Sequence, residues 1–236
     1  MFVAPFSMQS GGAGLVAPVL SNLTPLIGTE GATWGLGVPQ VFPYTSTSGN
    51  VAFMAGTRGQ LATTRDMVET WNADAMTEIA TAAVNGSGHS RCEAAIKGAG
   101  STGLHNLSVE ALISAGAFRF LIGWAFDLDQ IDGGIGGKNA VAINVSQAFV
   151  EATIVVQQAG SLLVAAGWSQ NYLCEPYTFT AGWTKLDEKH SSTNPNRPSG
   201  AIAFMTATAA GSQTVRMSSA LANTDWAMVV AEFLPG

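Results

Sequence analysis

The sequence predicts an all-β protein: an antiparallel β-sandwich, jelly-roll-like, with an extended, irregular N-terminal arm. Three observations carry that prediction. Large and small side chains alternate with a period of two along several runs, as in a strand with two chemically different faces. Turn pairs recur between the runs, at Asn85-Gly86, Ala99-Gly100, Gly133-Gly134, Asn194-Pro195-Asn196 and Ala210-Gly211. Only 11% of the 236 residues are charged, 47% are hydrophobic and 27 are glycine, whereas an ordinary soluble domain is about 25% charged. A chain of this length buries a core without a disulfide or metal staple, and this one is too apolar for disorder. So little charge suggests that partners cover part of the surface.

Residues 1–50 read as the arm or anchor and residues 51–236 as the sandwich domain. Up to Thr57 the only charged residue is Glu30, and Pro5, Pro18, Pro25, Pro39 and Pro43 punctuate the segment. Prolines at this spacing oppose long helices and regular ladders. Short apolar pieces lie between them, among them Leu15, Val16, Val19 and Leu26. Such a segment either packs on its own domain or docks on a neighbouring subunit.

From Ala52 the pattern becomes strand-like. Phe118, Phe120, Ile122, Trp124 and Phe126 share one face of a run whose other face is mostly small. Ile202, Phe204 and Thr206 repeat the alternation, and Val215, Met217 and Ser219 repeat it opposite Thr214, Arg216 and Ser218. Residues 226–234 are nearly all apolar and predict a buried central strand. Residues 152–156 and 161–166 predict two more, separated by a Gln157-Gln158-Ala159-Gly160 turn. Residues 108–115 have some helical composition but also fit a strand, with Leu107, Val109, Ala111 and Ile113 on one face. No internal repeat and no heptad is visible.

Charge and targeting signals exclude several classes. The net charge is −6, and the basic residues are spread thinly from Arg58 to Arg216, so no nucleic-acid footprint is present. The longest apolar stretch, residues 111–126, is interrupted by Arg119 and falls short of the roughly 20 residues of a membrane span. The start of the chain lacks the positive region of a secretory leader. Cys92 and Cys174 are far apart and predict reduced thiols in a protein made in a cytoplasm.

The motifs that could carry chemistry are weak. Gly133-Gly134-Ile135-Gly136-Gly137-Lys138 has one residue too few for a phosphate loop, and Asn139 stands where Ser or Thr is needed; a flexible glycine connection is expected instead. Asp127, Asp129 and Asp132 could hold calcium, but their spacing is not that of an EF-hand and no glutamate closes the set. They are expected to form a solvated strand end. His89 lies near Cys92, while His105 and His190 are remote, which is not a zinc pattern. Gly86-Ser87-Gly88-His89-Ser90 is not a nucleophile elbow. Asp187 and Glu188 are adjacent, so on a strand they face opposite ways. No catalytic, cofactor-binding or metal residue is therefore expected, and the chain is read as no enzyme and as holding no cofactor. A hydrolase would need a pocket joining Asp127 or Asp129 to His89 or His190. Among the tryptophans, Trp124 and Trp226 are expected in the core, and Trp168 and Trp183, beside loops, are the candidates for stacking on a glycan.

Four segments taken together resemble a known family. Thr70-Trp71-Asn72-Ala73 with Met76-Thr77-Glu78-Ile79, the run from Phe118 to Asp129-Gln130, Ala181-Gly182-Trp183-Thr184-Lys185-Leu186, and Thr224-Asp225-Trp226-Ala227 followed by Val229-Val230-Ala231-Glu232-Phe233 are similar, in this order, to segments of a β-sandwich module of tailed-bacteriophage virion proteins of the head-decoration and minor-tail type. The resemblance runs from about Ala52 to Gly236. It implies a non-enzymatic virion component, assembled in the host cytoplasm, bound to major capsid or tail proteins and to copies of itself as a homo-oligomer. It implies no nucleic-acid or membrane partner. A receptor- or glycan-binding module of the virion is the alternative.

Overall fold

In a computed structural model, residues 16–28, 39–59, 67–83, 90–97, 100–111, 118–131, 134–169, 176–190, 198–220 and 224–236 are described. They form seventeen strands and no helix. In chain order these are β1 (Val19–Ile27), β2 (Gln40–Ser46), β3 (Val51–Gly59), β4 (Met67–Trp71), β5 (Asp74–Ala75), β6 (Thr77–Ala83), β7 (Ser90–Lys97), β8 (Gly103–Ala111) and β9 (Phe118–Asp129). They continue as β10 (Ile135–Gln147), β11 (Phe149–Val156), β12 (Leu162–Ser169), β13 (Tyr177–Phe179), β14 (Thr184–His190), β15 (Ser199–Thr206), β16 (Gly211–Ser219) and β17 (Thr224–Phe233).

These strands make four antiparallel sheets. Sheet I has the order β2-β8-β4-β5, sheet II β1-β9-β3-β7-β6, sheet III β10-β17-β12-β15-β14 and sheet IV β11-β16-β13. Three apolar cores separate them. Tyr44, Trp71 and Leu107 of sheet I pack on Phe53, Leu121 and Ala125 of sheet II. The opposite face of sheet II, with Met54, Trp124 and Phe126, packs on Val164, Trp168 and Val229 of sheet III. The far face of sheet III, with Leu163, Trp226 and Val230, packs on Val150, Ile154 and Met217 of sheet IV. The fold is thus two sandwiches, I/II and III/IV, stacked through a central core. Sheets II and III are covered on both faces, which explains the run of eight buried residues along β12.

The two sandwiches repeat one topology. Replacing β1, β9, β3, β7, β6 by β10, β17, β12, β15, β14 converts the order of sheet II into that of sheet III, and β2, β8, β4 likewise become β11, β16, β13. The register agrees in detail. The β1–β9 ladder shifts between Ser21 and Thr24, and the β10–β17 ladder between Ile135 and Lys138. The β6–β7 ladder skips Ile79 and the β14–β15 ladder skips Leu186, and both side chains turn into the central core. β8 and β16 both open on a glycine with positive φ, Gly103 at 104° and Gly211 at 123°. The absence of a repeat in the sequence is therefore corrected. The two units share topology and bulges, which depend on backbone geometry and burial, while few aligned residues are identical, Thr77 with Thr184 among them.

The first fifty residues are regular where the structure describes them. β1 pairs with β9 and β2 with β8, so residues 16–28 and 39–50 belong to the N-terminal sandwich and not to an irregular arm. Pro25 and Pro43 are accommodated because β1 and β2 are edge strands, where one side of the backbone has no ladder partner. Residues 1–15 and 29–38 lie outside the described set.

Other expectations resolve strand by strand. Residues 103–111 are strand. Val215, Met217 and Ser219 are buried opposite exposed Thr214 and Arg216, and β17 is the buried strand between β10 and β12. The turn at residues 157–160 does not make a hairpin: β11 pairs with β16 and β12 with β15 and β17, so this turn carries the chain from sheet IV to sheet III. The last two glycines before Lys138 are not a flexible connection either, while Gly133 lies outside the described residues. Gly136 and Gly137 lie in β10, where a Cβ on the first would collide with the Glu232 carboxylate and on the second with the Val155 carbonyl.

Asn72 and Ala73 form the two-residue link between Trp71 and Asp74, with φ of 52° and 65°. Both central residues in the left-handed region is the type I′ geometry that suits a hairpin. Alanine there is strained by about 1–2 kcal/mol. Ala73→Gly is expected to raise unfolding stability by about 1 kcal/mol, read from urea denaturation. Gly137→Ala, forced against backbone, is expected to lower it by about 1–3 kcal/mol.

Candidate functional site

The two units place a buried carboxylate at the same position. Asp127 near the end of β9 stands opposite Val51 of β3, and Glu232 near the end of β17 stands opposite Leu163 of β12. Each carboxylate holds the corner where the chain leaves the outer sheet for the inner one. Asp127 Oδ2 accepts from the Thr47 amide at 2.7 Å and the Thr47 hydroxyl at 2.9 Å, just after β2. The Tyr44 hydroxyl lies 3.1 Å from Asp127 Oδ1 and 3.1 Å from the Asn22 carbonyl. Glu232 accepts from the Gln157 amide at 2.9 Å and the Gln158 amide at 3.2 Å, just after β11, and from the Gly137 amide of β10 at 2.6 Å. Asn22 Nδ2 reaches Asp127 at 3.4 Å from the register position equivalent to Gly137.

Both carboxyls remain ionised through these donors. Burial pushes each one up, but hydrogen bonds outweigh it. For Asp127 these come from the Thr47 amide and the Ser46, Thr47 and Tyr44 hydroxyls, and for Glu232 they include the Gly137, Gln157 and Gln158 amides, so both sit below their ordinary range. Burial and the adjacent Asp127 charge push the Tyr44 phenol far up, so it stays protonated.

The remaining polar candidates are drawn into structural contacts. Asp129 accepts from the Ser21 hydroxyl at 3.2 Å. Asp127 is fully buried and Asp132 lies outside the described residues, so the expected solvated strand end is corrected for Asp127. Among the described residues no group of three or more His, Cys, Asp or Glu is arranged to hold a metal. Asp187 and Glu188 do face opposite ways. Asp187 accepts from Trp124 Nε1 at 2.9 Å and pairs with Lys189, while Glu188 accepts from the Tyr177 amide at 3.1 Å and pairs with Lys185. His105 Nε2 lies 2.9 Å from the Ser101 hydroxyl, with its ring against Trp71. His190 is exposed at the end of β14, and Cys92 is on β7. His89, Cys174 and Trp34 lie outside the described residues.

The tryptophans divide differently from expectation. Trp124 and Trp226 are in the core as expected. Trp168 is also buried, donating from Nε1 to the Ile122 carbonyl at 3.0 Å, so it is corrected from glycan candidate to core residue. Trp183 is half-buried against the third core. Two polar elements were missed. One is the Glu232 clamp, signalled by a lone acid in the apolar run of residues 226–234. The other is a buried hydroxyl cluster in which Tyr177 OH lies 2.7 Å from Ser169 Oγ and also meets Ser199 Oγ.

What distinguishes the two units is their outer surface. On sheet IV, Glu151 and Arg216 form an ion pair at 2.7 Å, Arg216 lies over the Phe149 ring, and Thr153 meets Thr214 at 2.9 Å. On sheet I the equivalent register positions hold Val41 opposite Ser108 and Pro43 opposite Asn106. Val41 is 48% and Leu104 68% exposed there, and Val16, Val19 and Ile27 are exposed along the neighbouring β1 segment. Among the described residues no charge stands on β1 or β2, whereas edge strand β14 carries Lys185, Asp187, Glu188 and Lys189. Charges on an edge block pairing with other chains; β1 and β2 carry no such guard. The candidate functional surface is therefore the side formed by β1, β2 and the outer face of β8 from Leu104 to Ser108, with Glu110 the one charge at the far end of that strand face.

No helix among the described residues is long and apolar enough to cross a membrane. No protein-family model, curated protein or solved structure matches the chain.

The two carboxylate clamps set a pH dependence. Their folded pKa values lie below the unfolded ones, so their contribution is complete above the ordinary carboxylate range and is lost as the pH falls through the folded values. Asp127→Asn and Glu232→Gln are each expected to lower stability at pH 7 by about 1.5–3 kcal/mol, the scale of a charge-assisted hydrogen bond. In denaturant titrations from pH 7 to pH 2, the gap from the parent protein should shrink toward the acid end.

Proposed function

We propose that the chain is a non-enzymatic structural component of a tailed-bacteriophage particle, decorating or stabilising the head or forming part of the tail. The observation that carries this reading is the contrast between the two outer faces. One scaffold appears twice; at two register positions one copy carries an ion pair and a threonine pair where the other carries Val41 opposite Ser108 and Pro43 opposite Asn106, and the first copy's exposed aliphatic is Val155 where the second has Leu104 on the facing strand. A face poor in charge and carrying exposed Val41 and Leu104 suits a lasting side-chain contact with other proteins, while Pro25, Pro43 and the bulge in β1 oppose strand addition at these edges. The segments that resemble virion modules support the same reading, as does the engagement of the buried carboxylates in holding backbone. The partners are major capsid or tail proteins and further copies of this chain. The anchoring role falls to the surface of β1, β2 and β8 rather than to a free arm.

The test is incorporation. An antibody raised against the recombinant chain should label particles produced by cells that carry the gene, and the chain should band with them on a density gradient. Val41→Lys with Leu104→Glu should leave circular dichroism unchanged and lower the particle-bound fraction at least tenfold. A chain found only in the soluble fraction would defeat the virion reading. Unchanged incorporation of the double variant would defeat the assigned surface.

A further inference from the structure

Sheets II and III close against each other at one end of the central core and part at the other. β6 and β7 lie close against β10 and β17, whereas among the described residues no comparable contact joins β1 to β14. The repeat shows what this leaves open. Ala140 and Ala142 of β10 stand opposite Val229 and Ala227, and both pack on the central core. Pro25 and Ile27 of β1 hold the equivalent positions, opposite Trp124 and Ile122, on the face of sheet II that is turned to the central core. Pro25 is exposed and Ile27 is 43% exposed. Leu20 and Leu23, nearer the start of β1, are partly buried. The far wall of this mouth is β14, where Leu186 is partly buried and Asp187 is held by Trp124 Nε1 and by Lys189. The mouth is apolar along β1, and the two charges beside it are paired with each other.

The sequence holds a segment suited to this mouth. Residues 1–15 carry no charge. Phe2, Ala4, Phe6 and Met8 alternate with Val3, Pro5 and Ser7, and Ser10-Gly11-Gly12-Ala13-Gly14 follows as a turn signal. The segment joins the fold at Val16, just before β1, where the Val16 amide bonds to the Gly236 carbonyl at 2.8 Å. A chain that reverses at residues 10–14 runs back beside β1. Extended, residues 2–8 span about 23 Å and β1 about 30 Å, so the segment reaches from Leu20 to Ile27. Tethering at Val16 gives the chain's own segment a higher effective concentration at this mouth than a free segment has.

We propose that the mouth between β1 and β14 is the docking site of residues 1–15 of the same chain, with Phe2, Phe6 and Met8 packed on Leu20, Leu23, Pro25 and Ile27. The contact is made by side chains, since Pro5, Pro25 and the bulge in β1 oppose a ladder. It leaves Val41 and Leu104 on sheet I uncovered, and it stands independently of the virion reading.

Photo-crosslinking tests this in the full-length chain. With p-benzoylphenylalanine in place of Phe6, irradiation followed by digestion and mass spectrometry should join residue 6 to the peptides that carry residues 20–27 or 184–189. In a mixture of isotopically light and heavy chains, the two halves of each crosslinked pair should match in isotope. Ile27→Glu, at an exposed position, should leave circular dichroism unchanged and lower the crosslink yield roughly fivefold or more, because a carboxylate is costly beneath apolar side chains. Val41→Glu, on the outer face of sheet I, should leave the yield unchanged. Crosslinks elsewhere in the chain, or none, would overturn the proposal. So would pairs of mixed isotope, which would give the site to another copy's segment, and so would a yield that Ile27→Glu leaves unchanged or that Val41→Glu lowers as much.

Discussion

Everything in this molecule depends on two sheets that have no face toward water. Sheets II and III are each covered on both sides, so their strands must satisfy two packing surfaces at once. β9 shows how: Ile122, Trp124 and Phe126 fill the central core, while Leu121 and Ala125 fill the outer one and Gly123 lies against the Met54 carbonyl and the Phe53 ring. Close packing of this kind leaves little tolerance for volume change on either side. It also accounts for the small-residue composition, because a strand between two layers has room for bulk on one side only where its neighbour gives way.

That constraint decides where polarity goes. A charge inside such a stack must be fully hydrogen-bonded, and Asp127 and Glu232 meet the requirement by accepting backbone amides at the corners where the chain changes sheet. These are the places where the backbone leaves its ladder and has donors to offer. The same solution in both units, with an aspartate in one and a glutamate in the other, shows that the position matters more than the side-chain length. Asp127 draws on hydroxyls and an amide from a β2 corner, and Glu232 on amides from the β11 corner and from β10.

Much of the secondary structure was legible because period-two patterning reports burial directly. β16 and β17 lie close to the bounds their patterns implied, and the adjacent acids at 187 and 188 point apart as strand geometry requires. What pattern alone could not convey was which strands share a sheet. The turn at residues 157–160 looks like a hairpin in one dimension and is a crossing between layers in three. Pro25 and Pro43 suggested irregularity because a sequence does not mark which strands lie at an edge. The duplication was hidden for a related reason: its evidence is a set of bulges and glycine φ values, at positions such as Ile79, Leu186, Gly103 and Gly211, whose neighbours have little residue identity. The candidate surface was legible only as a shortage of charge; its position needed the contrast between Val41 and Glu151 at one register.

The Val16 amide bonds to the Gly236 carbonyl at 2.8 Å, and the Gly236 amide bonds to the Gln130 carbonyl at 3.0 Å. Residue 16 leads into β1 and residue 130 directly follows β9, so these two backbone bonds fasten the last residue of the C-terminal sandwich to the N-terminal one. The two units are joined at this corner by main chain as well as by the apolar side chains of the central core.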